Sequence, residues 1–505
     1  MPILLHFFQA PASDWLRFAA FLVGIVSFVL VAEWSRHRQG WSAEINRKLV
    51  HVGTGILILF SPVFFETAAP LISMALLFTL LNAWGIKTGR LRGMHPAGRA
   101  SYGTVLYPLA FGVLTALCWN GGKAVLIPAI SVLAFGDAAA ALVGENLKRP
   151  HRYRLAGDEK SLEGSGVMAV VSFLAVFLTL PYAAQFDGTA ITVSRALLLA
   201  LLTAPVATAL EALSTRGSDN LTAPLGSAFV LWFGLTQPPA DVYRLALATV
   251  LALVVALVSF RARFLSGSGA TATFVLAVVI FGTGGWQWAG PILVFFVLSS
   301  LLSKTGKKAK AKFDLMFEKS SRRDAGQVMA NGGVAGAAVL LNLYFPHPLW
   351  YAAYLAALAS ATADTWATEI GVFSKTAPKS ILSFKPVIAG TSGGITPLGT
   401  TAAFIGSTLI AFTGWAVTGG QLSLITALVV TLAGFMGSLS DSLLGATLQA
   451  QYRCPVCEKR TERQNHCNNN PTILISGLHW LNNDWVNGLA ALFGAILAGL
   501  WTSVN

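Results

Sequence analysis

Val167-Met-Ala-Val-Val-Ser-Phe-Leu-Ala-Val-Phe-Leu-Thr-Leu180 carries no charged side chain, and Phe18–Val31 and Leu245–Phe260 are uncharged in the same way. Runs of this kind recur along the chain, while Lys and Arg gather in the short segments between them. That is the pattern of a polytopic helical membrane protein. Composition agrees: 505 residues are 54% hydrophobic and 11% charged, with a mean hydropathy of +0.64. A soluble domain carries about 25% charged residues. A soluble enzyme, a disordered chain and a secreted disulfide scaffold are excluded, and so is a nucleic-acid binder, despite a net charge of +13 and a pI near 9.7.

The hydropathy predicts an all-α protein of about 16 transmembrane helices in two related halves, with no soluble domain beyond its cytosolic loops. The spans fall at about residues 15–33, 49–65, 68–86, 102–119, 124–146, 163–181, 194–213, 225–236, 242–260, 264–285, 286–303, 325–345, 349–372, 396–417, 421–449 and 485–503. The stretch 225–236 is too short to cross about 30 Å of hydrocarbon as a straight helix. If the first loop (Arg36, Arg38, Arg47, Lys48) is cytosolic, alternation puts all 35 Lys and Arg on the cytosolic side except Arg17, Lys123, Arg195 and Arg244. The basic excess is then the positive-inside rule. Both termini are expected on the non-cytosolic side. Residues 1–14 lack the basic start and small-residue cleavage site of a signal peptide.

Arg261-Ala-Arg-Phe-Leu-Ser-Gly-Ser-Gly269 divides the chain into a first domain, 1–262, and a second, 263–505. The halves echo each other. Asp137 is followed by Ala140, Ala141 and Gly144, and Asp364 by Ala367, Thr368 and Gly371. Both sets stand at i, i+3, i+4, i+7, one face of a helix. Small residues let a neighbouring helix approach closely. Downstream of each aspartate comes a polar, Gly-containing stretch: Lys160-Ser-Leu-Glu-Gly-Ser165, and Gly390-Thr-Ser-Gly-Gly-Ile-Thr396. Further on come Glu211-Ala-Leu-Ser-Thr-Arg-Gly-Ser-Asp-Asn220 and Ser438-Leu-Ser-Asp-Ser442.

Carboxylates within spans are the most informative residues. Each costs about 2.5–3.5 kcal/mol on insertion scales and normally faces a partner or a polar cavity. Asp137 and Asp364 lie about 12 Å from the cytosolic helix end at about 1.5 Å per residue, within reach of a nucleotide phosphate. The bland reading of each is a structural interhelical hydrogen bond. Arg47, Lys48 and His51 open the second span, and such cations suit phosphate oxygens; an ordinary positive-inside flank would also carry Arg47 and Lys48. Lys160, Ser161, Gly164 and Ser165 offer an ammonium, hydroxyls and backbone amides at a helix start, an anion-favouring place. Glu211, Asp219 and Asn220 suit Mg2+ binding for phosphoryl transfer, or form a solvated helix end. In the second half Arg322 and Arg323 suit a phosphate clamp, and Gln327 and Asn331 share a face. Gly390, Thr391, Gly393 and Gly394 offer amides that can wrap a phosphate, or an ordinary turn. Glu369 and Asp441 join Asp364. The run Lys304 to Lys312 reads as a solvated, headgroup-facing stretch. Asn482-Asn-Asp-Trp-Val-Asn487 either lines the second cavity or caps the last helix.

Cys454, Cys457, His466 and Cys467 cluster in a loop, 450–484, assigned to the reducing cytosol, where Cys-x2-Cys spacing favours a structural Zn2+ over a disulfide. Unligated cysteines are the alternative, and coordination by adjacent His466 and Cys467 strains the geometry.

Residues 15–235 resemble the phytol kinase and dolichol kinase family, related to CDP-diacylglycerol synthase. The motifs are Arg47-Lys48-x-x-His51, Gly136-Asp137-x6-Gly144, Lys160-x-x-Glu163-Gly164-Ser165, Glu211-x-x-Ser214 and Asp219-Asn220-Leu221-x-x-Pro224-Leu225. Residues 264–503 resemble the phytyl-phosphate kinase family through Ser266-Gly267, Gln327-Val328-x-x-Asn331-Gly332-Gly333, Ala363-Asp364-Thr365-x-x-x-Glu369-x-Gly371, Gly390-Thr391-x-Gly393-Gly394 and Ser440-Asp441-Ser442-x-x-Gly445-Ala446. The resemblance implies a bifunctional, CTP-dependent kinase that takes an isoprenoid alcohol from the bilayer to its monophosphate and then to the diphosphate. It implies a divalent metal, Mg2+, at Asp137, Asp219 and Glu211 and at Asp364, Glu369 and Asp441, with His51 also catalytic and the active sites opening to the cytosol. Membrane lipids are expected partners and nucleic acid is not. Two other classes use similar groups. A CDP-lipid-forming cytidylyltransferase would release pyrophosphate, and a secondary transporter would place its carboxylates at the midplane between inverted repeats.

Overall fold

Helix starts along the chain are written in hydroxyl side chains. Ser42, Ser161, Thr192, Ser266, Thr396 and Ser423 each accept the backbone N–H three residues on, which satisfies a donor the first turn leaves unpaired. Gly40 and Gly89 end two helices at φ +70 and +67, a left-handed conformation that glycine adopts without steric cost. The computed structural model describes residues 10–40, 42–89, 101–304 and 322–504. A helix occupies each of the sixteen stretches read from the sequence. These are α1 (Ala12–Gln39), α2 (Ala43–Phe64), α3 (Ala69–Thr88), α4 (Gly103–Cys118), α5 (Lys123–Asn146), α6 (Leu162–Gln185), α7 (Val193–Ala212) and α8 (Asp219–Thr236), then α9 (Pro239–Arg261), α10 (Gly267–Gly284), α11 (Trp286–Lys304), α12 (Ala325–Tyr344), α13 (Pro348–Gly371), α14 (Pro397–Val417), α15 (Leu424–Thr447) and α16 (Asn483–Val504). Twelve of the described helices are long and apolar enough to cross a membrane; α4, α8, α12 and α13 lie outside that set.

Two compact units divide at Val242/Tyr243, within α9. In the first, α5 is the central helix, packed by α2, α4, α6 and α8, and 78% of its most apolar window is buried. In the second, α13 is surrounded by α12, α14, α15 and α16, and its residues Ala352–Ala363 are buried without a break. Alanine dominates that run, as close helix packing in an apolar solvent demands. Each central helix carries one of the aspartates. By contrast only 6% of the α1 window is buried. Its start is tied down by Asp14, which accepts the backbone N–H groups of Glu66 and Thr67.

The four basic residues that break the charge alternation all have structural work. Arg17 pairs with Asp14 at 3.0 Å. Lys123 donates to the Trp119 carbonyl just past α4 at 2.8 Å. Arg195 donates to the Gly234 and Leu235 carbonyls near the end of α8, and Arg244 to those of Gly282 and Thr283 at the end of α10. Cations are favoured at helix C-termini, where carbonyls lack partners.

The all-α expectation needs one amendment. The connection between α5 and α6 is a hairpin of β1 (Arg152–Arg154) and β2 (Glu159–Ser161), and that between α13 and α14 contains β3 (Lys379–Ser380) paired with β4 (Gly394–Ile395). The 450–484 loop holds a three-stranded sheet ordered β6 (Arg460–Thr461), β5 (Gln451–Arg453), β9 (Ile473–Ser476), and a hairpin of β7 (Asn465–His466) and β8 (Asn470–Pro471). Strands of two to four residues leave little periodicity to read. Of the basic run at 304–312, only Lys304 lies within the described residues; its Nζ donates to the Ala262 carbonyl at 2.6 Å.

Candidate active site

Ser42 caps α2, so Asn46, Arg47, Lys48 and His51 sit on its first turns. Lys48 and His51 face α5. Lys48 Nζ donates to Asp137 Oδ2 at 2.6 Å, with both side chains 6% exposed. His51 Nε2 lies 4.0 Å from the same oxygen, buried and without a hydrogen-bond partner. Asp137 ends a wide π turn, Val132–Asp137. Such turns free backbone groups inside a helix and recur at functional sites.

A second cluster forms where β2, α7 and α8 meet. Lys160 Nζ donates to Glu211 Oε1 at 2.5 Å and to Asp219 Oδ2 at 3.1 Å. Ser214 Oγ also donates to Asp219 Oδ2, and Asn220 Nδ2 to Asp219 Oδ1. Glu211 Oε2 is buried with no partner. Burial works against the Lys160 ammonium, but the charges of Asp219, Glu211 and Asp137 outweigh it and hold its pKa above the ordinary lysine range. The same Lys160–Asp137 interaction links the two clusters. Arg47 joins them through Gly103: a Cβ there would stand 2.9 Å from Asn220 Nδ2 and 3.5 Å from an Arg47 guanidinium nitrogen. Arg47, Lys48 and Lys160 thus gather with Asp137, Glu211 and Asp219, three cations with three acids.

The other first-unit residues have local partners. Ser161 caps α6, Ser165 shares a 2.5 Å hydrogen bond with Tyr153, and Glu163 pairs with His151 at 2.6 Å on the surface. Gly164 lets α6 press on α5, since a Cβ would sit 3.0 Å from the Ala140 carbonyl oxygen. The second unit repeats this device with Thr396 as cap and Gly399 2.9 Å from the Ala367 carbonyl oxygen by the same measure. Ser161-x-x-Gly164 and Thr396-x-x-Gly399 thus share one capping and packing pattern, whereas the Gly390–Thr396 stretch paired with Lys160–Ser165 from the sequence lies largely before it.

In the second unit the Asp364 and Asp441 side chains lie within interaction distance of each other, and Asp441 Oδ2 is buried with no hydrogen-bond partner. Glu462, absent from the sequence reading, lies within electrostatic reach of both. Glu369 instead accepts from Ser303 Oγ at 2.7 Å. Arg323 stacks over Phe295 and its backbone bridges to Phe264 and Ser266. Gln327 completes a capping box with Asp324. Arg322 is exposed, and Asn331 lies in α12; no described contact brings either to the aspartate pair. Gly390 and Gly393 have φ +88 and +77, and a Cβ on Gly393 would meet Ala446. Gly394 N donates to the Thr391 carbonyl. These features fit a tight turn packed on α15. Asp484 lies in the first turn of α16.

Gly103 and Glu462 were not picked out by sequence reasoning. Gly103 and Glu462 carry no local signal, whereas Ser214 already stood in the Glu211-x-x-Ser214 motif.

Comparison with known proteins finds relatives among integral membrane proteins. Residues 250–495 match the family described as integral membrane protein DUF92. Protein PGR of Arabidopsis thaliana is 31% identical over 284 residues, 51% of this chain and 96% of the relative. A phytol kinase of Synechocystis sp. is 33% identical over 222 residues, 43% of this chain and 89% of the relative. Protein VTE6, chloroplastic, of Arabidopsis thaliana is 25% identical over 270 residues, 52% of this chain and 73% of the relative. No solved structure matches. The chain is an integral, multi-pass membrane protein, and it belongs to the DUF92 membrane family with phytol kinase among its homologues.

Proposed function

We propose that the chain is a bifunctional isoprenoid kinase of two related halves, which converts a membrane prenyl alcohol such as phytol or geranylgeraniol to the monophosphate and then to the diphosphate. One observation carries the reading: the cluster of Arg47, Lys48 and Lys160 with the buried Asp137, Glu211 and Asp219, in a chain that is 33% identical to a phytol kinase over 222 residues. The Asp364–Asp441 pair on the second central helix and α15 is the matching centre for the second step.

In the first step the prenyl hydroxyl oxygen bonds to the γ-phosphorus of the nucleotide. The bond from that phosphorus to the bridging oxygen breaks, the nucleoside diphosphate leaves with the electron pair, and the hydroxyl proton passes to Asp137 or Asp219. Arg47, Lys48 and Lys160 bind the phosphates, and His51 stands beside Asp137. In the second step a monophosphate oxygen takes the place of the hydroxyl, with the Asp364 centre holding the reactants. The donor is CTP in this reading.

Mg2+ held by Asp137, Asp219 and Glu211 would spread the charge of the transferring phosphoryl group. The partnerless Glu211 Oε2 fits a cation there, as the partnerless Asp441 Oδ2 does beside Asp364. Lys48 and Lys160 are already paired with these carboxylates, so metal binding to the acids would free the ammonium groups for phosphate. A monophosphate confined to the membrane also meets the second centre at high effective concentration. The active sites open to the cytosol and the termini face away from it in this reading, which rests on the charge alternation.

The test is purified protein with labelled phytol or geranylgeraniol, Mg2+, and CTP or ATP, followed by separation of lipid and nucleotide products. Phosphorylated lipid with CDP supports the kinase. A CDP-linked lipid with pyrophosphate replaces it by a cytidylyltransferase, and flux coupled to a proton or sodium gradient without turnover replaces it by a transporter.

A further inference from the structure

The 450–484 loop buries few apolar side chains, Ala450, Tyr452 and Leu481 among them. Its strands have two to four residues, and β9 is exposed along its whole length. Its few buried side chains include Tyr452, Cys454, Thr461 and His466. Small folded pieces of this kind need a disulfide or a metal in place of a core.

What they have instead is a convergence of soft ligands. Cys454, Cys457, His466 and Cys467 each direct one ligand atom to a common point, all within 4.8 Å of one another. His466 Nδ1 lies 3.5 Å from Cys457 Sγ and 3.1 Å from Cys467 Sγ. The backbone around the first pair is shaped for thiolates. The amides of Val456 and Cys457 donate to Cys454 sulfur, Glu458 N donates to the Cys454 carbonyl, and Glu458 takes φ +56. Cys467, Asn468 and Asn469 follow at φ +41, +60 and +65. This run of left-handed residues turns the chain so that adjacent His466 and Cys467 reach one point. Non-glycine residues hold such conformations only where their surroundings fix them.

We propose that Cys454, Cys457, His466 and Cys467 bind one structural Zn2+ that joins the β5–β6 tip to the β7–β8 hairpin and fixes the loop against the 390–396 turn. Three thiolates and an imidazole in a closed tetrahedral set are a structural zinc donor set. The connection to the turn is direct: Ser392 Oγ donates to Glu462 Oε1 at 2.7 Å, and Gln451 Nε2 donates to Ser392 Oγ at 2.8 Å. Glu462 follows β6, between the two pairs of ligands in sequence, so the ion sets where its carboxylate stands relative to Asp364 and Asp441. Glu462 is a positioning residue in this scheme.

The test uses the full chain in mild detergent under reducing conditions. Elemental analysis after desalting should give one zinc per chain, lost in Cys454→Ser and Cys467→Ser but kept in Cys118→Ser. Replacement by Co2+ should give the intense visible bands of a tetrahedral thiolate site. Chelation of the wild-type protein tests the same point without a variant that fails to fold: hydrogen exchange should rise across 450–484 and also across 390–396. Absence of stoichiometric metal, iron in place of zinc, or zinc retained by both serine variants would overturn the site. Faster exchange in 450–484 with no change in 390–396 would overturn the coupling to the turn. Metal content is read without substrate or nucleotide, so it is independent of the kinase assignment.

Discussion

Removing one member of the Lys48–Asp137 pair should destabilise the protein far more than removing both. The two side chains are 6% exposed and 2.6 Å apart. At an effective dielectric of about 20 their attraction is about 6 kcal/mol before desolvation. Lys48→Met leaves a buried carboxylate and Asp137→Leu a buried ammonium, each costing about 3–5 kcal/mol. In the double variant no charge is stranded, and an apolar replacement of a buried pair is often neutral or better. The double variant should therefore recover at least about 2 kcal/mol relative to the sum of the singles. Reversible unfolding in mixed SDS and mild-detergent micelles, followed by tryptophan fluorescence, gives all four free energies. Single variants that each lose less than about 1 kcal/mol, or an additive double variant, would refute Lys48 as the counter-charge of Asp137.

Three further outcomes concern Gly103, Lys160 and Arg195. Gly103→Ala should displace Asn220 and Arg47 at a packing cost of about 1–3 kcal/mol; nucleotide KM should rise while the protein still purifies as a monodisperse species, and an unchanged KM would separate Gly103 from the site. Lys160 has a raised pKa, so its stabilising contribution is fully present below the unfolded value of about 10.4 and is lost only as pH rises through the higher folded value. The difference in thermal midpoint between wild type and Lys160→Met should thus be constant from about pH 7 to pH 9, and a difference that shrinks over that window would contradict the ion pairs with Glu211 and Asp219. Arg195→Met should cost about 0.5–1 kcal/mol through the uncapped end of α8 and leave kcat and KM unchanged, since its contacts are the Gly234 and Leu235 carbonyls.

Helix positions were legible because membrane burial removes charge from long runs, as in Val167–Leu180. The central role of α5 and α13 was legible in part: Asp137 and Asp364 mark them, but their neighbours depend on packing that local pattern does not encode. Lys48 shows the limit. An ammonium at a helix start reads as a phosphate ligand, and its pairing with Asp137, 89 positions away, exists only once α2 lies on α5. Lys160 is alike, with partners in α7 and α8. The π turn before Asp137 shifts the helical register without a residue that announces it. Ser161 and Thr396 did carry a local signal, a hydroxyl three residues before a glycine, which the richer Gly390–Thr396 stretch obscured. Glu462 was hidden because it sits in a loop of two- to four-residue strands, which leave no periodicity to place it.

Two sequential phosphorylating centres are tested by the lipid products of wild type, Asp137→Asn and Asp364→Asn incubated with prenyl alcohol, CTP and Mg2+. Diphosphate from wild type, no phosphorylated lipid from Asp137→Asn, and monophosphate alone from Asp364→Asn are expected. Supplied with prenyl monophosphate, Asp137→Asn should still form diphosphate. Loss of both products in both variants, or diphosphate from Asp364→Asn at the wild-type rate, would contradict two sequential centres.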